Sequence, residues 1–325
     1  MRNESAKQKK CVRYFTKGPS VATPLSVAEP MQQFGGNWTE VKLAMLKDYL
    51  AAYTTALKNQ PFSKMYIDAF AGAGYREIET QADSLGLFAA QAEAEGEGFF
   101  DGSAMLALQI PTLFDRYVFI EKKKKYMEEL RRAVSANCPS LSGRMDFQPG
   151  DANEILPDLC RKTDWKKTRA VLFLDPFGMS VDWHTMEAIA RTQAIDVWIL
   201  FPAGIGVNRL LKQNPDHIPA RWQEKLDRIF GNGEWKKAFF KTSSEQTLFG
   251  EEIVTKKVRG SISAIADYYR ERLETIFPRV ASNPRYLFNT KRSPMFIFTF
   301  AVGNPSPKAQ GLAMKIARHI LGKVR

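Results

Sequence analysis

Short apolar runs, each closed by a polar or glycine-rich turn, recur along this chain and are separated by amphipathic stretches. Met65–Phe70, Tyr117–Ile120, Arg144–Gln148, Ala170–Leu174 and Ile195–Phe201 have the length of strands. The last two are apolar almost throughout, as strands buried on both faces are. Helical spacing of Trp38, Met45, Leu46, Tyr49, Leu50 and Tyr53 predicts a helix from Thr39 to about Asn59, ended by Pro61. Thr39 or Asn37 can cap it, with Glu40 in its first turn. Asp101-Gly102-Ser103 opens a short helix to Gln109, and Lys122–Ala136 and Ala309–Leu321 read as two more. Strands alternating with helices predict a mostly parallel, doubly wound α/β sheet.

Three segments break this rhythm. Residues 1–35 lack periodicity and carry Arg2, Lys7, Lys9, Lys10 and Arg13, which predicts a loose basic arm. Residues 75–101 are acidic and small-residue rich, as an insertion or lid would be. Residues 203–284 are charged and aromatic, and read as an inserted, mostly helical subdomain suited to substrate or partner recognition. Tyr286–Asn289 and Met295–Val302 then form a hairpin around Lys291-Arg292-Ser293-Pro294. The resulting division is an arm at 1–35, a core at 36–202, the insertion at 203–284, and a C-terminal piece at 285–325 that completes the core.

Composition narrows the partners more than the fold. The chain has 325 residues and a formal charge of +12, which favours a polyanion such as RNA or DNA. Lysines that merely keep a basic protein in solution are the other reading. No apolar run reaches the ~20 residues of a membrane helix. Cys11, Cys138 and Cys160 are too far apart for a metal-binding spacing, His184, His217 and His319 are isolated, and no metal is expected. Free thiols fit a reducing, cytoplasmic compartment.

The candidate chemistry lies at the ends of four successive strands. Ala71-Gly72-Ala73-Gly74 follows the first, with Asp68 and Phe70 at the strand end; Glu121 closes the second, Asp151 and Ala152 follow the third, and Asp175-Pro176-Phe177-Gly178 follows the fourth. Ligands in open α/β sheets bind outside these carboxyl ends, so the groups can converge on one crevice. Glycines 72 and 74 let the backbone turn and approach a ligand. Glu121 and Asp151 each offer carboxylate acceptors there. Any one of these acids alone is as well read as a helix cap or surface charge.

The constellation resembles the S-adenosylmethionine (SAM) site of class I methyltransferases, which implies that Glu121 accepts from the two ribose hydroxyls and Asp151 from the adenine amino group. Asp175-Pro176-Phe177 is similar to the Asp/Asn-Pro-Pro-Tyr/Phe motif of enzymes that methylate exocyclic amino groups of nucleobases. The second proline is absent and the aromatic comes one place early. The form Asp-Pro-Phe-Gly is similar to that of tRNA guanine-N2 dimethyltransferases. What the resemblance implies is that Asp175 and the Pro176 carbonyl accept the amino hydrogens while Phe177 stacks on a base lifted from its helix. A strand-terminating Asp-Pro turn with a core Phe is the plainer alternative.

Over nearly all of the chain beyond residue 35, the sequence also resembles the three-Cys-motif partner (TcmP) family. The stretches that carry this are Trp38–Leu43, Tyr66–Gly74, Gly102-Ser103, Phe119–Glu121, Gly150–Asn153, Phe173–Met179, Asp196–Pro202, Phe230-Gly231 and Trp235. The resemblance implies a prokaryotic or phage-associated methyltransferase fold, from a mobile or defence locus, with a three-cysteine-motif protein as partner. This chain's own cysteines do not form that motif. Lys42 and Trp38 would reach the cofactor from the first helix, unless they are a surface lysine and a core tryptophan. The basic residues Lys236, Lys237, Lys241, Lys256, Lys257 and Arg259 interleave with aromatics, as phosphate contacts or as solvated helix faces. A SAM-binding scaffold without turnover and a nicotinamide-dependent oxidoreductase are the rival readings.

Overall fold

The computed structural model describes residues 38–73, 102–247, 250–257, 261–289 and 291–323. The expected basic arm, the 75–101 insertion, Gly74, Asn37 and Arg259 lie outside these. The first helix, α1 (Trp38–Ala56), buries Met45, Leu46, Tyr49 and Leu50 at the predicted spacing, and Thr39 lies inside its first turn rather than capping it. Strand β1 (Ser63–Asp68) is followed, beyond the undescribed stretch, by α2 (Ser103–Leu108), β2 (Arg116–Glu121) and α3 (Lys124–Asn137). Then come β3 (Met145–Pro149), α4 (Ala152–Lys162), β4 (Thr168–Leu174), α5 (Trp183–Arg191) and β5 (Ile195–Phe201). All seven residues of β5 are buried, which is why its pattern carries no alternation.

Beyond β5 a π-turn (Ala203–Val207) leads into α6 (Ala220–Phe230), α7 (Trp235–Phe239), a hairpin of β6 (Phe240–Thr247) and β7 (Gly250–Lys257), and α8 (Ile262–Glu274). This segment is therefore not wholly helical. Its two strands are largely polar, so no apolar run announced them. Tyr269 of α8 stacks on Phe201 with ring centroids 3.7 Å apart and meets Phe230 edge-on, while Phe230 and Phe239 pack edge-on against Tyr268. Much of the segment's aromatic content is thus core that fastens it to the end of β5.

The chain closes with β8 (Arg279–Val280), β9 (Arg285–Phe288), β10 (Pro294–Val302) and α9 (Pro307–Gly322). The main sheet runs β3-β2-β1-β4-β5-β10, with β8 and β9 both on the outer edge of β10. The first five strands are parallel, and β10 is antiparallel to each of its neighbours. The five strands and the hairpin read from the sequence account for seven strands, and the outermost position, where the first hairpin strand was expected, is filled by β9 and the two-residue β8 in line. Val280 faces Ala301 and Arg285 faces Phe298, so four residues, Ala281 to Pro284, oppose only Thr299 and Phe300. Pro284 has no N–H for the ladder, and the strand breaks there.

Helix α4 packs beside α5, as crossovers that progress in the same direction along a sheet place their helices on one face. Helix α1 packs against α2 and α9. Its Tyr49 meets Trp198 and Phe300, and its Trp38 meets Phe296, so α1 covers the β5–β10 half of the sheet. The strand order grows outward to one side of β1 and then to the other from β4, which makes the β1/β4 junction the topological switch point where such sheets hold ligands. Among the described residues no helix is long and apolar enough to cross a membrane.

Candidate active site

Every expected strand-end group that the structure describes lies at the carboxyl end of the parallel strands. Asp68, the last residue of β1, is fully buried. Its carboxylate accepts from the Phe70 N–H at 3.3 Å and the Tyr66 hydroxyl at 3.2 Å, and also bonds Ser103 at the start of α2. Burial pushes its pKa up to about 7; the Ser103, Phe70 and Tyr66 bonds pull the other way, and the nearby Asp175 charge adds to the rise. Gly72 follows at φ +59, the left-handed region glycine adopts without strain, and a Cβ there would meet nothing within 4 Å.

The Gly72 N–H donates to Glu121 Oε2 at 3.0 Å, which ties the turn after β1 to the end of β2. Glu121 Oε1 accepts from the Lys123 N–H at 2.8 Å. Each oxygen keeps a further lone pair, enough for two adjacent hydroxyls of a ligand. Asp151 caps α4 through the Asn153 N–H at 2.9 Å and accepts from Lys122 Nζ at 3.0 Å. Partial desolvation would raise its pKa, but these donors outweigh it and hold the carboxyl below the usual range. Gly150 beside it has φ +154, and a Cβ there would come 2.9 Å from Ile155 Cδ1. Ala152, the first residue of α4, is buried.

Asp175 follows β4, across the switch point from Asp68. Lys42 Nζ of α1 donates to its Oδ2 at 2.5 Å, with the lysine side chain 2% exposed and the aspartate 18%. The ammonium also lies 4.7 Å from the centre of the Trp38 ring. Lys42, expected toward a cofactor, is therefore set against the Asp-Pro-Phe-Gly turn. In that turn Pro176 is buried and Phe177 is 45% exposed, one of three large apolar side chains so exposed among the described residues. A strand-terminating turn with a core Phe does not describe this geometry.

Sequence reasoning missed the groups that hold this turn. Asn153 Nδ2 donates to the Ser180 carbonyl at 2.6 Å, and its Oδ1 accepts from the Asp182 N–H and the Thr185 hydroxyl, both at 2.9 Å. One side chain next to the Asp151 cap thus ties down the loop that carries Asp175. Asp182 in turn binds Arg228 of α6 through both carboxylate oxygens at 2.7 Å. Trp183 lies between Arg272, whose guanidinium is 4.6 Å from the ring centre, and Gly231. The Gly-Asp-Ala-Asn stretch was visible in the sequence, but nothing local indicates what Asn153 reaches. Among the described residues no group of three or more His, Cys, Asp or Glu side chains is placed to hold a metal ion. A cleft of about 420 Å³ lined by Ser63, Arg116, Asp146 and Thr168 opens at the opposite, amino ends of the strands.

No protein-family model and no curated protein sequence matches this chain. Solved structures do match in shape. A Legionella pneumophila protein, LPL1258, of the DUF519 family is 11% identical over 86% of this chain and 91% of its own, with a TM-score of 0.42. Trm1 from Pyrococcus horikoshii, solved with S-adenosyl-L-methionine, is 12% identical over 85% and 71%, with a TM-score of 0.35. Spermidine synthase from Thermotoga maritima is 10% identical over 84%, with a TM-score of 0.38, and the match spans 62% of that chain. At these identities and scores the likeness adds nothing to the strand order itself. That order, with its antiparallel β10 and reversal at β1/β4, is the Rossmann-like arrangement of class I methyltransferases.

Proposed function

We propose that this chain is a SAM-dependent methyltransferase acting on an exocyclic amino group of a nucleobase in RNA or DNA. The observation that carries the reading is the turn at the switch point, where Asp175 faces Lys42 across from buried Asp68 and Phe177 is exposed beside them. The crevice suits SAM in its donor and acceptor chemistry. Glu121 keeps lone pairs for ribose hydroxyls, Asp151 an acceptor for the adenine amine, Asp68 a carboxylate for the cationic methionyl end, and the Gly72 turn open space.

SAM supplies an electrophilic methyl on a sulfonium centre. The residues of the chain then have only to orient a weakly nucleophilic amine. Oδ1 of Asp175 and the Pro176 carbonyl are acceptors for its two hydrogens, while Lys42 fixes Oδ2 and so the plane of the carboxylate. Phe177 offers a flat apolar surface for the base. The methylated nitrogen is acidic enough to release its proton to water, so no strong base is required. The inserted 203–284 segment, fastened to the same loop through Arg228, would recognise the substrate.

One observation favours a second reading. Because Oδ2 is already satisfied by Lys42, the turn is complete without a substrate, as in a SAM-binding scaffold active only with a partner. The resemblance to the three-Cys-motif partner family points to such a protein. Incubation with methyl-labelled SAM and separate pools of tRNA, rRNA and DNA tests both. Label entering one pool with the wild type and lost with Asp175→Ala supports the enzyme. Intact SAM binding with no label in any pool transfers the case to the scaffold.

A further inference from the structure

Phe177 has a counterpart at the same end of the sheet. Because β10 is antiparallel to β5, the turn that precedes it lies at the carboxyl end of the parallel strands, on the β5 side of the switch point. That turn joins β9 to β10. Phe288, the last residue of β9, is 47% exposed, while Leu287 before it is buried on the opposite face. Tyr286, two residues back, shares the Phe288 face and is half-buried. β4 and β9 are three strand spacings apart in the order β4-β5-β10-β9, so the two exposed phenylalanines rise from strands separated by about 14 Å.

The described residues of the turn are tied by hydrogen bonds, and two of them are cationic. The Asn289 side chain accepts from the Lys291 N–H at 3.0 Å and the Ser293 N–H at 2.9 Å. The Asn289 backbone exchanges bonds with Ser293 and Arg292, each at 3.0 Å. Lys291 and Arg292 are exposed at its tip. Arg292 has φ +57, a left-handed conformation that a glycine would adopt at less cost, yet the position holds a cation. An exposed aromatic at a strand end, flanked by two cations on a fixed turn, has the features of a base-stacking platform with phosphate contacts.

We infer that the β9–β10 turn is a second contact surface for a single-stranded polynucleotide, with Phe288 stacking on a base and Lys291 and Arg292 pairing with its phosphates. The net charge of +12 suits that polyanion. An added protein strand is a poorer occupant, because the edge offered by β9 is only four residues long and is preceded by Pro284. The inference rests on the base-methylation reading for what the strand does there, and on the exposed surface alone for the binding.

The test uses the full chain and fluorescently labelled single strands of one mixed sequence, as RNA and as DNA, with binding followed by anisotropy across a salt series. Phe288→Ala should weaken binding roughly 5- to 150-fold, the worth of one base–aromatic stack. The Lys291→Glu, Arg292→Glu double variant should reduce the slope of log affinity against log salt by about 1.4, two phosphate contacts on a single strand. Leu312→Ala, which removes a large exposed apolar side chain on α9, should leave binding unchanged. Equal losses on RNA and DNA assign stacking and phosphates; a loss on RNA alone adds the 2′-hydroxyl. Wild-type affinity in Phe288→Ala, an equal loss in Leu312→Ala, or no binding by the wild type overturns the inference. Calorimetric binding of SAM, measured in parallel, tests the methyltransferase reading separately.

Discussion

Removing the Asp175 carboxylate should unfold this protein more readily as well as silence it. In Asp175→Ala, the Lys42 ammonium, whose side chain is 2% exposed in the wild type, loses the Asp175 carboxylate. Leaving one partner of a buried pair uncompensated costs ~3–5 kcal/mol. Two features reduce this. Asp175 is 18% exposed, so water can enter the vacated space, and the Trp38 face lies 4.7 Å from the ammonium, an interaction of ~0.5–2 kcal/mol. The expected loss is therefore about 2–4 kcal/mol, or a fall of roughly 3–6 °C in the unfolding midpoint for a chain of this size. Adding Lys42→Met removes the stranded charge and fills the space with an unbranched apolar chain. The double variant should return to within about 1 kcal/mol of the wild type, a coupling of about 1–3 kcal/mol between the sites. Urea unfolding followed by circular dichroism measures this, provided the slope is unchanged. Transfer activity should remain absent in the double variant, which separates catalysis from folding. If Asp175→Ala unfolds within about 0.5 kcal/mol of wild type, or the second substitution recovers nothing, the buried-pair reasoning is wrong.

Three further outcomes follow from other parts of the structure. Burial pushes Asp196 up to about 6 against the Tyr49 hydroxyl, the Gly303 N–H and Arg169. Its folded pKa thus lies above the ~3.9 of an unfolded chain, so its stability contribution is greatest below about 4 and is lost as pH rises through about 6. The stability of Asp196→Asn relative to wild type should rise across that window and then level off; an offset independent of pH refutes it. Gly231 has φ +85, and a Cβ there would come 2.2 Å from Trp183 Cδ1. Gly231→Ala should therefore cost at least about 2 kcal/mol and expose the inserted segment to limited proteolysis, whereas a wild-type digestion pattern would deny that this contact fixes it. Glu121→Gln replaces a charged acceptor that also holds the Gly72 turn, and should weaken SAM binding about 10- to 100-fold by calorimetry. Unchanged affinity would remove Glu121 from the cofactor site.

What could be read from the sequence was local. Apolar runs ending in Asp68, Glu121, Asp151 and Asp175 fixed both the strands and the end of the sheet where they meet, because a strand and its terminal residue are neighbours in the chain. The β9–β10 hairpin was legible for the same reason. The partner of Lys42 was not, since 133 residues separate it from Asp175 and helix periodicity says only that a residue faces inward. Asn153 was visible inside a motif, but its three bonds reach Ser180, Asp182 and Thr185. The β6–β7 hairpin was hidden by its polar composition: Thr242 and Thr255 pair through hydroxyls 3.0 Å apart, and no apolar stripe marks it.

The antiparallel β10 also sets a timetable. Strand β5 is buried along its whole length, and one of its two edges is closed only by Val197–Phe201 pairing with Ile297–Ala301. During synthesis about a hundred residues must emerge between the two, roughly 5–20 s at ordinary elongation rates. For that interval an apolar strand edge next to the switch point stands open to any other unpaired strand. The aromatic packing of Tyr269 on Phe201 arrives earlier in the chain than β10 does, and can cover the end of β5 before its edge is sealed. The inserted segment would then serve the nascent chain as a temporary cover, and substitutions at Tyr269 would lower the yield of folded protein more than its final stability.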